Sequence, residues 1–386
     1  MTESVREKEP SGQIPEFVQL AAERAARYLS LSVGDGGAPS AELTLDPGFG
    51  TSFSGNDARA VLRERFGIDP GFELSGEAFS AMVTLMLQPP PEDRAGRRRV
   101  ARLVSQIETA RWKNRYRFFP HANGFPADTD CTGMAAGALY GRGLLSAASL
   151  DACVRDLLQA TAPTTALPGQ ARPSDDTILV PAVPLVYWED DTEPGTGRRG
   201  RKHDAVACAN ALHTVQLSNS VAAQAAEFTG ASHRYLADHL ASGRYLDGTR
   251  YYPSPDAFLY ALSRLCARFP TSARVLSNPL HQAFSEREAT ASAEALASRT
   301  SSALDIALRT LTADNLSRTD GQAERRLLLA QAQRGDGSWP ACSYYRMGRF
   351  PVYFGSSYLT TVFALQALRT REHPVVGRAR AAFPPR

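Results

Sequence analysis

Helical periodicity recurs along almost the whole chain, and strand periodicity is nearly absent. The segments EFVQLAAERAARYL near residue 16, DARAVLRERF near 57, EAFSAMVTLML near 77 and RAGRRRVARLVSQIETARW near 94 carry apolar residues at helical spacing. The series continues through CTGMAAGALYGRGLL, SLDACVRDLLQATA, HDAVACANALHTVQL, SVAAQAAEF, SHRYLADHL, DAFLYALSRLCARF, the long ATASAEALASRTSSALDIALRTL, QAERRLLLAQAQ and SYLTTVFALQALR. This predicts about a dozen helices. The strongest strand-like run, ILVPAVPLVYW, reads as an extended connector, because Pro181 and Pro184 remove backbone donors and fix φ. The expected class is all-α. Antiparallel helices with Gly/Pro-rich links build a solenoid, a bundle array or a closed double ring of inner and outer helices, an α/α barrel; pattern alone leaves the three open.

At 386 residues the chain has room for one large domain or two modest ones, taking ~100–200 residues per domain. With 43% hydrophobic and 22% charged residues it is neither disordered nor membrane-spanning in composition. Lys plus Arg exceed Asp plus Glu by 43 − 40 = 3, which gives no chain-wide field for gripping nucleic acid. Any anion site must be local. The cysteines, at 131, 153, 208, 266 and 342, are odd in number and lack C-x-x-C spacing, so neither a disulfide framework nor a zinc cluster is expected. Residues 1–14 are polar and lack the apolar region of an export signal, and no run is long enough to cross a membrane. A cytoplasmic location follows as the expectation, with peripheral membrane contact left open.

Two loops stand out. WEDDTEPGTGRRGRKHD (188–204) runs from an acidic patch into a Gly/Arg-rich segment. In RFFPHANGFPADTDCTG (117–133), aromatics, prolines and two aspartates crowd before a helix expected to begin near Cys131. Asp128 and Asp130 can reach one mouth of the structure. Each raises the other's pKa, as does burial among Phe118, Phe119 and Phe125, and a carboxyl kept protonated near neutrality is a usable acid. A helix N-terminus pushes the other way, and the plainer assignment has Asp130 capping the helix with Asp128 in a turn.

A second signal lies in QRGDGSWPACSYY. Gln333-x-x-Asp336-Gly337-Ser338-Trp339 resembles the QW repeat of the terpenoid cyclase and protein prenyltransferase superfamily, and FGSSYLTTVFALQAL (354–368) resembles the helix that follows it. In that superfamily class II terpene cyclases carry D-x-D-D-T-A, whose middle aspartate protonates an alkene or epoxide. Asp128-Thr129-Asp130-Cys131-Thr132-Gly133 is similar, with Cys131 in the last acidic place. Cyclases that open epoxidised squalene have a D-C-T-A form, with the cysteine hydrogen-bonding the acid, and Asp130-Cys131-Thr132 is closer to that form. The resemblance thus implies Asp130 as general acid, assisted by Asp128 and Cys131. It also implies a single α/α barrel, drawn at 96–376, with an N-terminal helical elaboration at 15–95 and polar tails at 1–14 and 377–386. Departures are the single clear QW repeat and Gly133 in place of the usual Ala.

The implied substrate is a linear isoprenoid, whether a prenyl diphosphate, an epoxide or a meroterpenoid, and no cofactor is required. Its cyclisation passes through carbocations, which aromatic faces steady and which must be kept from water. The substrate-binding candidates are Phe118, Phe119, Phe125, Trp188, Tyr251, Tyr252, Tyr344, Tyr345 and Phe354, with Tyr187 a further aromatic near them. Trp339 reads as structural. Glu189, Asp190 and Asp191 have the oxygens a Mg2+ would take if the substrate carries a diphosphate, and Arg199, Arg201 and Lys202 the donors for that diphosphate. The competing assignment for this loop is a solvated linker. A protein prenyltransferase would need a zinc site, and its late His falls here at Ser356 or Ser357. A non-catalytic barrel that binds a lipid-like ligand is the rival from another class.

Overall fold

The computed structural model describes residues 16–369 except 73, 75, 121–123, 163–178, 191, 194, 197–198, 297–300 and 349. Its elements in chain order are α1 (Glu16–Ser32), β1 (Glu42–Thr44), α2 (Gly55–Phe66), α3 (Phe79–Leu87), α4 (Arg94–Thr109), β2 (Arg111–Trp112), β3 (Arg115–Arg117), β4 (Ala127–Asp128), α5 (Thr129–Gly141) and α6 (Ala147–Gln159). There follow α7 (Ala205–Val215), α8 (Ala226–Ala241), a 3-10 turn (Arg244–Asp247), α9 (Pro255–Arg268), α10 (Pro270–Leu296), α11 (Ala303–Asn315), α12 (Gln322–Gln331), β5 (Tyr345–Arg346), β6 (Tyr353–Gly355) and α13 (Ser357–Leu368). The fold is all-α, as expected.

The helices sort into two rings by the distribution of their apolar residues. FSAMVTLML, AVACANALHTV and SYLTTVFALQAL are apolar on every face and almost wholly buried. A helix that is apolar all round must be enclosed. These segments, with α5, α9 and α11, form a closed inner ring in which α3, α5, α7, α9, α11 and α13 pack in succession and α13 returns to α3. The helices α1, α4, α6, α8, α10 and α12 bury one stripe each against that ring. In α4, for example, Leu103 and Ile107 are buried, four residues apart, while most of the arginines face out. The architecture is an α/α barrel.

Two expectations need correction. Residues 15–95 are not an appendage: α1 supplies an outer helix and α3 an inner one, and without them the ring would be open. The short, aliphatic α3 gave no sign of this in isolation. The long run ATASAEALASRTSSALDIALRTL is not one helix either. It covers the end of α10 and the start of α11, where Ser302 opens a new helix through a capping box with Asp305.

Because every inner helix is followed by an outer one running back, the inner helices are parallel and their N-termini share one rim. Side-chain caps at Asp128, Asp204, Ser254, Ser302 and Ser356 open five of them. Ser254 bonds Asp305 across that rim at 2.5 Å, and Asp204 bonds the backbone of Tyr251 at 3.0 Å. Two antiparallel three-stranded sheets, ordered β1-β6-β5 and β2-β3-β4, cover the same end. In the second, Tyr116 pairs with Asp128 and Arg117 with Ala127, so β4 delivers Asp128 directly into α5. Trp339 is fully buried and donates from its indole N–H to Leu329 O at 2.7 Å, while Gln333 bonds Ala21 O and Gly337 O. The QW-like segment therefore ties α12 to α1, a structural task as expected. The described part of ILVPAVPLVYW is irregular, with isolated bridges at Pro184 and Tyr187.

Candidate active site

Asp128, not Asp130, caps α5. Its carboxyl accepts from the Cys131 N–H at 2.7 Å, the residue is in extended conformation, and the helix begins at Thr129. Asp130, in the first turn, is thereby released from capping and turned toward the barrel interior. One of its carboxyl oxygens accepts from Asn210 Nδ2 at 2.7 Å and the other from the Tyr252 hydroxyl. A carboxyl oxygen has two lone-pair sites, so each oxygen keeps one beyond these two donors.

Three elements converge to make this arrangement. Asn210 lies on α7, and α7 approaches α5 so closely that a Cβ on Gly133 would stand 2.9 Å from Asn210 O and 3.0 Å from Ala211 N. The Gly133 that departs from the usual motif is thus the residue that lets Asn210 reach the acid. Tyr252 follows a tight turn at Gly248, which has a φ of 73° and would place a Cβ 2.4 Å from Pro253 O. Asp204 holds this turn from one side through Tyr251 N. Arg346 holds it from the other, donating to Thr249 O and Arg250 O at 2.8 and 3.0 Å.

Both aspartates are held above the ordinary carboxylate range. Burial raises Asp130 to about 6, and the hydrogen bonds from Tyr252 and Asn210 only partly oppose it. Burial, and then the charge of Asp130, raise Asp128 to about 8. The two titrate as a pair, which keeps a proton into the neutral range. Burial pushes the Cys131 thiol well up, so it stays protonated. The backbone N–H of Cys131 bonds Asp128, since capping brings the Asp128 carboxyl back over the start of the helix.

Asp130, Asp128 and Cys131 lie at the floor of a cavity of about 90 Å3 with an almost wholly apolar wall. Phe118, Phe119, Phe125, Tyr251, Tyr252, Tyr345 and Phe354 line it, as the sequence suggested, together with Tyr187 and Phe79. The rings meet edge to face: Phe118 and Tyr345 at 4.6 Å, Phe119 and Phe125 at 5.2 Å, Phe125 and Tyr187 at 6.0 Å. Two expected wall residues lie elsewhere. Tyr344 stands behind Tyr252 at 5.4 Å, and Trp188 donates to Asp156 O at 2.9 Å beneath the Arg115 guanidinium. Both fall outside the lining because they fill the space between elements, where a large ring is equally useful.

The charged loop is largely occupied with its own neighbours. Asp190 pairs with Arg115 at 2.5 Å, and Arg115 also reaches Asp156 at 3.1 Å. Glu193 pairs with Arg117 and accepts from Ala127 N at 2.8 Å, and Glu189 lies 4.0 Å from Arg201. These contacts staple the loop across β3 and β4 and so fix Asp128. Asp191 and His121 lie outside the described residues, among which no group of three His, Cys, Asp or Glu is placed to hold a metal ion. Arg199 lies over the rings of Phe72 and Phe125 at 5.0 and 4.9 Å, and the Lys202 ammonium lies 5.5 Å from the Tyr187 ring; neither lines the cavity.

Sequence reasoning missed Asn210 and Phe79. The signal for Asn210 was present: it is the only amide in AVACANALHTV, and a polar side chain in an enclosed helix needs a partner. Asp204 caps α7, and His203 before it bridges Pro184 O and Val180 N.

No family model matches the chain, and no curated protein does. Solved structures do match. Type II terpene cyclase MstE from Scytonema, in complex with geranylgeranyl dihydroxybenzoate (substrate), shares 12% identity over 91% of this chain and 96% of its own, with a TM-score of 0.57. A protein from Actinoplanes matches at 15% identity over 91% and 98%, TM-score 0.57. The ent-copalyl diphosphate synthase from Streptomyces platensis matches at 14% over 92% of this chain and 67% of its own, TM-score 0.50. The chain has the fold of the type II terpene cyclases.

Proposed function

We propose that this chain is a class II terpene cyclase, in which Asp130 protonates the terminal alkene or epoxide of a linear isoprenoid and the resulting cation closes rings within the aromatic cavity. The observation that carries the reading is a protonatable carboxyl, shared between Asp130 and Asp128, at the floor of a cavity walled by aromatic rings. An alkene is a weak base, so its protonation demands an acid that is desolvated and aimed; burial supplies the first and the Asn210 and Tyr252 bonds the second. After transfer, those two donors stabilise the carboxylate left behind. The cation then migrates along a wall of π faces that attract positive charge and exclude water. Loss of a proton, or capture of water, ends the reaction.

Glycine at 133 and cysteine at 131 are compatible with this role, since the first admits Asn210 and the second supports Asp128. The cavity is smaller than the few hundred Å3 a drug-sized ligand fills, so rings of the wall must swing aside to admit a long polyene. The fold's occurrence in MstE, solved with geranylgeranyl dihydroxybenzoate, and in an ent-copalyl diphosphate synthase supports an isoprenoid with an aromatic or a diphosphate head. In the diphosphate case, Arg199, Arg201 and Lys202 would receive the head, while Asp190 stays paired with Arg115.

The test is incubation of the full chain with farnesyl and geranylgeranyl diphosphates, their epoxides and a geranylgeranylated dihydroxybenzoate, with and without Mg2+. Extracts are analysed by mass-detected chromatography. A cyclic product made by the parent and not by Asp130→Asn supports the reading. Cyclisation that survives the substitution would sink it, and binding of the polyenes without turnover would favour a non-catalytic lipid-binding barrel.

A further inference from the structure

Besides the aromatic cavity, α3, α5, α7 and α9 line a second and larger cavity of about 470 Å3, which is open to solvent past Gly141, Ala267 and Arg268. Arg142, Arg264, Arg268 and His213 contribute to its lining, and no Asp or Glu does. None of the three arginines pairs with a carboxylate among the described residues. Arg142 donates to Leu85 O at 2.8 Å, Arg268 lies against the Phe269 ring, and Arg264 donates through one Nη to Asn210 Oδ1 and through the other to the sulfurs of Met86 and Met134. The Arg264 Nε is buried with no partner.

Cations near helix C-termini are ordinary, and the Arg142 bond to Leu85 O is of that kind. Arg264 is different. It sits a full turn inside α9 and lines the cavity with a positive charge that no carboxylate offsets among the described residues. Three guanidinium groups around one concavity with no counter-charge in the wall form a site for an anion, and their forked donors match phosphate and carboxylate oxygens. His213, driven well below its ordinary pKa by burial and by Arg264 and Arg268, adds a neutral imidazole rather than a fourth charge. The remaining wall is mixed, with Leu87 and Leu217 beside the polar groups of Thr214, Asn315, Tyr140 and Tyr260.

We infer that this second cavity binds a small oxyanion, a phosphate or carboxylate head on a short apolar stem, and that Asp130 senses its occupancy through Arg264 and Asn210. The link is structural: Arg264 donates to the oxygen of the amide whose nitrogen donates to Asp130. The charged and titratable groups that face Asp130 are Asp128 on its own helix start, Asp204 at the start of α7, Arg264 from α9, and Tyr252 and Tyr344 from the rim loops. Arg264 is the cation of this set. An anion seated on it cancels part of the charge that favours the Asp130 carboxylate, so Asp130 holds its proton to higher pH. The effect on turnover rests on the proposed function; the binding site does not.

Calorimetric titration of the full chain with inorganic phosphate, diphosphate and octanoate, at ionic strength matched with chloride, tests the site and separates the two head groups. Binding of one of these at a single site is expected, weakened about tenfold or more in Arg268→Ala, whose side chain is exposed. In protein labelled with 13C at the aspartate carboxyls, with Asp130→Asn supplying the assignment, saturation is expected to move the Asp130 titration up by about half a unit. Absence of binding in all three arms would overturn the site. Binding that leaves the Asp130 titration unmoved would overturn the coupling. Failure of the cyclase reading would show differently, as cyclisation that survives Asp130→Asn while the isotherms stay intact.

Discussion

Asn210 donates to Asp130 across 2.7 Å from a neighbouring helix, and it can do so because Gly133, one turn along α5, has no side chain to hold that helix off. The position of the Asp130 carboxyl is therefore set by backbone contact between two inner helices rather than by a flexible side chain. Gly133→Ala would force a shift where the contact is already closed, and overpacking of this kind costs about 1–3 kcal/mol. We expect a folded protein with a lowered Tm and a turnover loss larger than any change in KM, because the displaced amide no longer orients the acid. Unchanged turnover in Gly133→Ala, measured beside its Tm, would show that the close approach does not serve Asp130.

The pH dependence of cyclisation follows from the aspartate pair. The reactive form is protonated, so the rate falls as pH rises through the range from about 6 to about 8 in which the pair titrates. Asn210 and Tyr252 lower the pKa of Asp130 by bonding its anion. Removing either donor, in Asn210→Leu or Tyr252→Phe, should move the falling limb to higher pH while reducing kcat by about 10- to 100-fold through lost orientation. A limb that moves to lower pH in both variants would contradict the assignment.

Stability should carry the same titration with a definite sign. Both carboxyls have folded-state pKa values above the ordinary value near 3.8, so the folded protein retains protons that the unfolded chain releases. Their contribution is full below that ordinary value and is lost as pH rises through the raised values. Asp130→Asn replaces the titrating group with a neutral isostere. The variant is expected to unfold at a higher temperature than the parent at pH 8, with the gap closing toward pH 5. A gap constant across that range, in thermal melts of both proteins, would count against a buried, proton-retaining Asp130.

How much of this was legible in the sequence depended on whether a signal was local. The D-x-D-C-T-G run and the QW-like segment are local, and they located the Asp128 and Asp130 pair at the cavity and the strut made by Trp339. The all-α class followed from periodicity. The aromatic wall was mostly found because its rings cluster next to those motifs, although Tyr344 and Trp188 show that sequence proximity does not separate a lining ring from a packing ring. Asn210 and Arg264 lie about 80 and 130 positions from Asp130, and only closure of the inner ring brings them to it. The role of α3 was hidden for the same reason, since a nine-residue aliphatic helix looks alike in a core, a bundle or a ring.

In the acidic loop, a Mg2+ site and a structural staple make opposite demands on Asp190. Its carboxylate is held below the ordinary range chiefly by hydrogen bonding to Arg115, whose side chain is 5% exposed and also bonds Asp156. Removing one partner from such a contact leaves a guanidinium short of its counter-charge, although the part-exposed Asp190 limits the loss to the modest range of surface pairs. Asp190→Asn should therefore lower Tm by a few degrees. The fall should be the same with and without millimolar Mg2+, because Arg115 rather than a metal occupies the oxygens. Were Asp190 a ligand, Mg2+ would raise the parent's Tm and leave the variant's unchanged, as binding to the folded state alone must stabilise it. Melts of both proteins, at matched ionic strength with and without a prenyl diphosphate, separate the two. A Mg2+-dependent gap confined to the diphosphate arm would give the loop a metal role that depends on substrate, while a gap absent from every arm would leave Asp190 with the task of holding β3, β4 and hence Asp128 in place.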